Sequence, residues 1–353
     1  MTPLADLLAR RIAATGPITV ADYMAECLLH PEHGYYTRAE PFGAAGDFTT
    51  APEISQMFGE LIGLWLAQVW LDQGAPVPFT LAELGPGRGT LMADALRATQ
   101  GVPGFHQAAQ IHLVEAAPRL RAAQKDALEG YAVTWHDTVD GLPDAPLFVI
   151  ANEFFDALPI RQFQRDAQGW RERQVGLVDG ALTLGLSAPA PLAELDHRLA
   201  DTRPGEIVET CPAAAPTVAA LATRIAAHGG AALIVDYGDW HARGDTLQAL
   251  YRHAYDPPLA HPGQADLTAH VDFAALARAA TGLRVSAMTP QGVFLERLGI
   301  TARAQALARG LTGAALESHI AAHRRLTHPQ EMGTLFKTLA LTPADAPAPP
   351  GLD

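Results

Sequence analysis

Short apolar runs that alternate with helical segments constrain the fold of this chain more than any other feature. We predict strands at the five runs, which are residues 79–84, 111–116, 132–137, 146–154 and 231–238. Near-continuous apolar strands separated by helices are typical of a parallel sheet that is covered on both faces. The chain is therefore expected to be an α/β protein with a Rossmann-like, mostly parallel sheet and helices on both faces.

The segments around these runs define the predicted domain organisation. The predicted parts are an N-terminal helical and lid segment (1–75), the first half of the Rossmann-like domain (76–160), a β-hairpin insertion and helix between the fourth and fifth strands (161–228), the second half of the Rossmann-like domain with an excursion at 239–270 (229–342), and a tail (343–353). The second half is predicted to contain a strand around 283–296. The tail is rich in proline and alanine and is predicted to fray.

The overall composition argues against several classes of protein. The formal net charge of −13 disfavours general nucleic-acid binding, because an acidic chain repels polyphosphate backbones. Two separate cysteines, Cys27 and Cys211, argue against a disulfide framework and a cysteine zinc site. No apolar run approaches the roughly 18 residues of a transmembrane helix. With neither a signal peptide nor a clear transit peptide, the expected location is the cytoplasm of a bacterial-type cell.

The sequence LAELGPGRGTL at 81–91 predicts a strand that turns sharply into a helix around a ligand. A triphosphate-binding loop would need a lysine after the glycines, and none is present. The glycines at 85, 87 and 89 also depart from the dinucleotide spacing G-x-G-x-x-G. Glu83 would repel a pyrophosphate, whereas it would attract the ammonium and sulfonium charges of S-adenosylmethionine (SAM). The alternative is a tight strand–helix turn with solvated acids.

Other acids follow the predicted strands and extend this hypothesis. Glu115 ends the second strand, where an acidic side chain accepts hydrogen bonds from both ribose hydroxyls. Asp137 ends the third strand and is a candidate for the adenine amino group, or else a turn residue. In the earlier loop Asp47 and Glu53 are candidate lid residues, although Thr50 and Glu53 also fit a helix capping box. The candidate cofactor-binding residues are Glu83, Gly85, Pro86, Gly87, Glu115, Asp137, Asp47 and Glu53.

Polar residues in ANEFFDALP (151–159) follow the fourth strand, at the sheet edge where α/β folds bind ligands. Asn152, Glu153 and Asp156 are the candidate catalytic residues. An arginine substrate stays protonated, so carboxylates would hold its guanidinium by forked hydrogen bonds and take up its proton. The alternative is a helix start whose acids favour the helix dipole. No metal is predicted, because the histidine pairs lack an acid at a known ligand spacing.

Several segments together resemble the SAM-dependent methyltransferases related to the mitochondrial complex I assembly factor MidA. The most specific segments are GDFTTAPEISQMFGE (46–60) and ANEFFDALP (151–159), and ELGPGRGTL (83–91), DLTAHVDF (266–273) and MGTLFK (332–337) occur in the same order. The resemblance implies a class I methyltransferase fold, SAM as the cofactor, and protein-arginine methylation linked to respiratory complex I.

The resulting hypothesis is a SAM-dependent methyltransferase that acts by in-line transfer on an arginine of a protein, for which a respiratory complex I subunit is one candidate. Nucleic-acid partners and a membrane span are not expected, and a homodimer is allowed. Two alternatives stay open at this point. One is a small-molecule methyltransferase, and the other is a SAM-binding assembly factor or chaperone with little catalysis.

Overall fold

Helices and strands alternate along the chain, which the computed structural model describes at residues 2–38 and 49–352. The α-helices are α1 (Pro3–Thr15), α2 (Val20–Leu29), α3 (Tyr35–Arg38), α4 (Ala51–Ile54), α5 (Gln56–Asp72), α6 (Thr90–Thr99), α7 (Phe105–Ala108), α8 (Pro118–Ala127), α9 (Ala214–His228), α10 (Phe273–Ala279), α11 (Gln291–Arg297), α12 (Ile300–Ala308), α13 (Gly313–Thr327) and α14 (Met332–Leu335). The β-strands are β1 (Ile18–Thr19), β2 (Phe79–Leu84), β3 (Ala109–Val114), β4 (Val133–His136), β5 (Leu147–Asn152), β6 (Arg161–Asp166), β7 (Gly169–Val178), β8 (Ala181–Leu186), β9 (Ile207–Thr210), β10 (Gly230–Asp239), β11 (Gln248–Tyr251), β12 (Ala254–Asp256), β13 (Asp266–Thr268), β14 (Val271–Asp272), β15 (Leu283–Val285), β16 (Thr289–Pro290) and β17 (Phe336–Pro343).

These elements form two structural units. The first unit takes its described residues from 1–48, 156–215 and 241–272, and the second takes them from 49–155, 216–240 and 273–353. The second unit contains one sheet with the strand order β15-β17-β10-β5-β2-β3-β4. Its strands β4, β3, β2, β5 and β10 are parallel, and β17 is antiparallel to β10. The predicted Rossmann-like, mostly parallel sheet is therefore confirmed.

The strand order also marks where a ligand would bind in the second unit. Strand β2 lies between β3 and β5, so the order of connection reverses at this strand. In open α/β sheets ligands bind beyond the carboxyl ends of the strands at such a reversal. Both β2 and β5 are buried along their whole length, as their apolar sequences predict.

Helix α5 packs unusually close to α6 in the second unit. A Cβ atom at Gly59 would lie 2.7 Å from Asp94 Cβ, and one at Gly63 would lie 2.5 Å from Ala95 Cα. The two glycines are four residues apart and share one helix face, so their missing side chains let the backbones approach. This contact fixes α6, whose first turn follows the glycine loop. Although α5 is rich in apolar residues, no helix within the described ranges is long and apolar enough to cross a membrane.

The first unit consists of the N-terminal helices and two antiparallel sheets. Strands β1, β7, β6 and β9 pair in that order with β8 on β7, and β11 pairs with both β12 and β13. The strands β6 to β8 occupy the segment 161–188, where alternating polar and apolar residues predict hairpins. The excursion predicted at 239–270, for which no strand was predicted, contains β11, β12 and β13. These strands have three or four residues, too few for their alternation to be recognised.

Two predictions are wrong in the second unit. The segment 283–296 is not one strand, because α11 begins at Gln291. Phe294 and Leu295 are buried while Val293 is 44% exposed, which is helical rather than strand spacing. The end of the chain does not fray, because Trp65 Nε1 donates a hydrogen bond to Pro350 O at 2.9 Å and Leu352 is buried.

Candidate cofactor and substrate site

The glycine loop leaves β2 in a conformation that favours glycine at three positions. Gly85, Gly87 and Gly89 have φ angles of 59°, 52° and 85°, in the left-handed region that side chains disfavour. A Cβ atom at Gly85 would lie 2.9 Å from Phe154 Cδ2. The loop closes with a 2.7 Å hydrogen bond from Gly89 N to Pro86 O, and α6 begins at the next residue. The loop therefore lies directly against the segment that follows β5.

Glu83 is the buried acid at the end of β2, with only 3% of its surface exposed. Burial raises the pKa of this carboxyl to about 8, although a hydrogen bond with the Met92 backbone opposes the shift, and the nearby charge of Glu115 adds to it. Its Oε2 atom is buried and has no hydrogen-bond partner among the described residues. A buried oxygen without a hydrogen bond destabilises the folded protein. A cationic ligand would supply the missing interaction.

Glu115 follows β3 and is held at both carboxylate oxygens. Its Oε1 accepts a hydrogen bond from Ala117 N at 2.8 Å, and its Oε2 accepts one from Gln124 Nε2 at 3.1 Å. Burial raises the pKa of this carboxyl, while these hydrogen bonds oppose the rise. Sequence reasoning missed Gln124, although a polar residue on the buried face of α8, four positions after Leu120, was a detectable signal.

Asp137 lies on the surface next to this position. Its side chain is 85% exposed and pairs with Arg121, which also donates a 2.8 Å hydrogen bond from Nε to Glu115 O. The link runs through the backbone of Glu115 and not through its carboxylate. A contact between Asp137 and adenine therefore stays a prediction.

Glu53 contacts the glycine loop instead of capping its own helix. The side chain of Thr50 makes no cap hydrogen bond, so the predicted capping box is wrong. Ser55 separates α4 from α5. The Glu53 carboxylate bonds to a donor that is distant in the sequence. Its Oε1 accepts a 2.5 Å hydrogen bond from Thr90 Oγ1, and its Oε2 lies 3.8 Å from Arg88 Nη1. The other candidate lid residue, Asp47, lies outside the described residues.

Glu153 follows β5 with φ of 52°, an uncommon conformation for a residue other than glycine. Its backbone N donates to Val235 O at 2.9 Å, which holds the residue in place. Its Oε1 accepts hydrogen bonds from Ala51 N at 2.8 Å and from Asn152 Nδ2 at 3.2 Å. Burial raises the pKa of the carboxyl to about 7. Strained residues of this kind cluster at functional sites.

The other two candidate catalytic residues lie in different units. Asn152 ends β5 in the second unit, and its Oδ1 is buried without a partner among the described residues. Asp156 is buried in the first unit, near Tyr36. Burial and the charges of Asp266 and Asp156 raise the pKa of Tyr36, whose hydroxyl donates to Asp266 Oδ1 at 3.0 Å. Sequence reasoning assigned no role to Tyr36 or Asp266.

The acceptor oxygens at the ends of β2 and β5 suit a cationic ligand. Glu83 Oε2, Asn152 Oδ1 and Glu153 Oε2 are all buried oxygens that lack a partner within the described part of the chain. The two strands are parallel neighbours, so these oxygens share one edge of the sheet. Such acceptors fit positively charged groups, such as the ammonium group of SAM or a guanidinium, and would repel a pyrophosphate. In residues 2–38 and 49–352, no group of three or more histidine, cysteine, aspartate or glutamate side chains is arranged to hold a metal ion.

Comparisons with known proteins identify the family to which the chain is similar. Residues 61–290 match a family model described as "Putative S-adenosyl-L-methionine-dependent methyltransferase". The chain is 38% identical to the mitochondrial protein arginine methyltransferase NDUFAF7 of Rattus norvegicus, over 97% of this chain and 85% of that protein. It is also 38% identical to the Homo sapiens protein of the same name, over 97% and 84%. A crystal structure of a Burkholderia thailandensis protein bound to S-adenosyl-homocysteine (SAH) is similar, with 32% identity, a TM-score of 0.82, and coverage of 99% of this chain and 92% of that one.

Proposed function

The chain belongs to the family of S-adenosyl-L-methionine-dependent methyltransferases, and on this premise we propose that it methylates an arginine side chain of a protein. SAM is the cofactor of the family. The names of the similar mitochondrial proteins support arginine as the acceptor. The earlier resemblance to relatives of MidA extends the proposal to a respiratory complex I subunit as one candidate substrate. The mitochondrial location belongs to those relatives, and a cytoplasmic location for this chain stays a prediction, as do a homodimer and the lack of nucleic-acid partners.

The observation that carries the proposal is the state of the Glu153 carboxyl. One oxygen is held by two donors, while the other is buried and has no partner among the described residues. A guanidinium presents several N–H donors in a planar fork, and Asn152 Oδ1 offers a further acceptor beside Glu153. This pair of residues would hold an arginine side chain at the carboxyl edge of the sheet.

The same carboxyl suits the proton transfer that the reaction requires. When bound, SAM supplies a methyl group on a positively charged sulfur, which becomes a neutral thioether after in-line transfer. The arginine nitrogen that gains the methyl group forms a C–N bond with its electron pair and must lose a proton. Glu153, with a pKa of about 7, is poised to take this proton near neutral pH. Asp156 is the other candidate base, in the first unit.

The cofactor-binding residues are also part of the proposal. Glu83 would meet the ammonium group, and Glu115 would accept hydrogen bonds from the ribose hydroxyls. The glycine loop with Gly85, Pro86 and Gly87 would approach the ligand closely, since it carries no bulky side chains there. Asp137 is proposed for the adenine amino group, and Glu53 with Asp47 for the lid. Glu53 is supported by its contact with Thr90 at the start of α6.

We expect SAM binding to release a proton from Glu83. The pKa of about 8 leaves this carboxyl mostly protonated at pH 7, and the ligand's ammonium group would stabilise the ionised form. Affinity should therefore increase with pH below about 7.5, where the α-amino group of the ligand stays mainly charged, and calorimetry at pH 7 in buffers of different ionisation enthalpy should show proton release. Glu83→Gln should abolish both effects. Affinity that falls with rising pH over this range would contradict the assignment.

We also expect kcat/KM for the protein substrate to increase with pH around neutrality, because this ratio reports the pKa of the enzyme before the substrate binds. Glu153 must be ionised to accept a proton, and with a raised pKa it is protonated below about 7 and ionised above. The arginine substrate stays protonated over this range, so its own titration adds nothing. At saturating SAM, kcat/KM for the protein substrate should rise with a midpoint near 7 and then level off. A profile that is flat from pH 6 to 8 would exclude Glu153 as the base.

The substrate class is tested by methyl transfer into cell extract. The purified protein is incubated with SAM labelled in the methyl group and with an extract of source cells that lack the gene. We expect label in acid-precipitated protein, which hydrolysis releases as methylarginine, and no label with Glu153→Gln. Label in soluble metabolites would favour a small-molecule methyltransferase. SAM binding without any transfer would favour an assembly factor or chaperone, and both of these results would overturn the proposal.

A further inference from the structure

Gln124 on α8 joins three elements of the candidate cofactor site through one fully buried amide. Its Nε2 donates to Gly87 O at 2.8 Å and to Glu115 Oε2 at 3.1 Å. Its Oε1 accepts a 2.8 Å hydrogen bond from Trp135 Nε1 on β4. The amide therefore links the glycine loop, the acid that follows β3, and the next strand of the sheet.

The orientation of this amide is determined by its neighbours. An indole N–H can only donate, so the oxygen of Gln124 must face Trp135. The nitrogen then faces two acceptors, the carbonyl of Gly87 and the carboxylate of Glu115, and each receives one of its two hydrogens. The reverse orientation would set the amide oxygen against a carboxylate oxygen. Trp135 thus fixes the way in which Gln124 meets Glu115.

The hydrogen bonds to Glu115 leave lone pairs on its carboxylate that can accept hydrogen bonds from a ribose. A carboxylate has about four lone-pair sites on its two oxygens. Ala117 N occupies a site on Oε1, and Gln124 Nε2 occupies a site on Oε2. The Ala116 backbone N–H makes a smaller contribution to the same carboxylate, and the lone pairs that these bonds leave suit the hydroxyl donors of a ribose. Because both oxygens are held, the carboxylate cannot rotate without breaking a buried hydrogen bond.

We propose that Gln124 is a positioning residue for SAM, which holds the Glu115 carboxylate in the orientation that accepts both ribose hydroxyls. This proposal rests on the proposed role of Glu115 and is independent of the methyl acceptor. The hydrogen bond from Gln124 to Gly87 O couples the glycine loop to the same amide. Groups that orient metal-binding side chains change affinity by about 10–100-fold when they are removed, and we expect an effect of similar size for Gln124.

The test is calorimetric titration with SAH and with its analogue that lacks the 2′ and 3′ hydroxyls. Gln124→Leu should weaken SAH binding by at least about tenfold, in line with other orienting groups. It should weaken binding of the analogue far less, because only the coupling to the loop is lost. Trp135→Phe removes the N–H that orients the amide. It should lower affinity less than Gln124→Leu does, and it should again weaken SAH binding more than binding of the analogue. In a Glu115→Gln background, Gln124→Leu should add little further loss for SAH.

The matched control is Gln291→Leu. Gln291 is another fully buried glutamine of the second unit, and its Nε2 donates to Leu326 O at 2.9 Å, away from the glycine loop. This substitution should lower the melting temperature and leave SAH affinity unchanged.

Equal losses for SAH and its analogue in Gln124→Leu would show that Gln124 only supports the fold, and would overturn the proposal. If Gln124→Leu does not fold, the two ligands are compared in Trp135→Phe, where equal losses would overturn it as well. Wild-type protein that fails to bind SAH would overturn it together with the cofactor site, whereas SAH binding without arginine methylation would leave it intact.

Discussion

Replacing Glu153 with glutamine is expected to lower kcat for protein methylation by about 10²–10⁴-fold, the usual contribution of general acid–base catalysis. The glutamine can keep the hydrogen bond from Ala51 N, so the segment around α4 should stay in place. It cannot take a proton, and it holds a guanidinium without the charge of a carboxylate. SAH affinity should change little, because Glu153 is assigned to the acceptor and not to the cofactor. Steady-state kinetics at saturating SAM, with calorimetry on the same preparation, measure both.

The matched control for this prediction is Glu60→Gln on α5. Glu60 is a buried acid that pairs with Arg97 and Arg303. It lies on α5 and not at the edge of the sheet where the substrate is proposed to bind. Removing its charge weakens the ion pairs with both guanidinium groups, of which Arg97 keeps its pair with Asp94, so the melting temperature should fall. Methylation measured well below the melting temperature should be unaffected. If Glu153→Gln keeps wild-type activity while Asp156→Asn loses it, the base is Asp156.

The parts of the site that sequence could identify are those that local pattern determines. Glu83, Glu115 and Asn152 stand at the carboxyl ends of predicted strands, and parallel strands bring such ends to one edge. The left-handed φ angles at Gly85, Gly87 and Gly89 are also local, since they follow from glycine at a tight strand–helix turn. Each of these features needs only a strand of known direction and the residue that follows it.

The parts that sequence could not identify depend on contacts between distant segments. Ala51 N meets the Glu153 carboxylate across 102 positions of the chain, and Gln124 reaches Gly87 across 37. Neither contact has a signature in spacing, because the fold alone brings these segments together. Thr50 and Glu53 show the opposite case, because their spacing matches a capping box that does not form. The Glu53 carboxylate instead accepts a hydrogen bond from the distant Thr90 hydroxyl, and the helix ends at Ser55.

The second large effect is expected for Gly85→Ala, which should weaken SAH binding by about 100-fold, or ~2.7 kcal/mol. Alanine at φ of 59° costs about 1–2 kcal/mol in conformational energy. The new Cβ would also lie 2.9 Å from Phe154 Cδ2, closer than real Cβ atoms approach a carbon. Movement of the Phe154 ring relieves the contact alone, whereas the backbone strain is relieved only if the loop itself shifts. That shift would displace the backbone groups of the glycine loop that meet the ligand.

Gly282→Ala separates the two causes of this loss. Gly282 has φ of 83°, but a Cβ atom there would meet nothing within 4 Å. This variant should lose about 1 kcal/mol of stability from backbone strain alone and should keep wild-type SAH affinity. Adding Phe154→Ala to Gly85→Ala removes the clash and leaves the strain, so it should restore part of the affinity. If Gly85→Ala binds SAH as tightly as the wild type in a folded protein, the glycine loop does not hold the cofactor, and the assignment of Glu83 to its ammonium group fails with it.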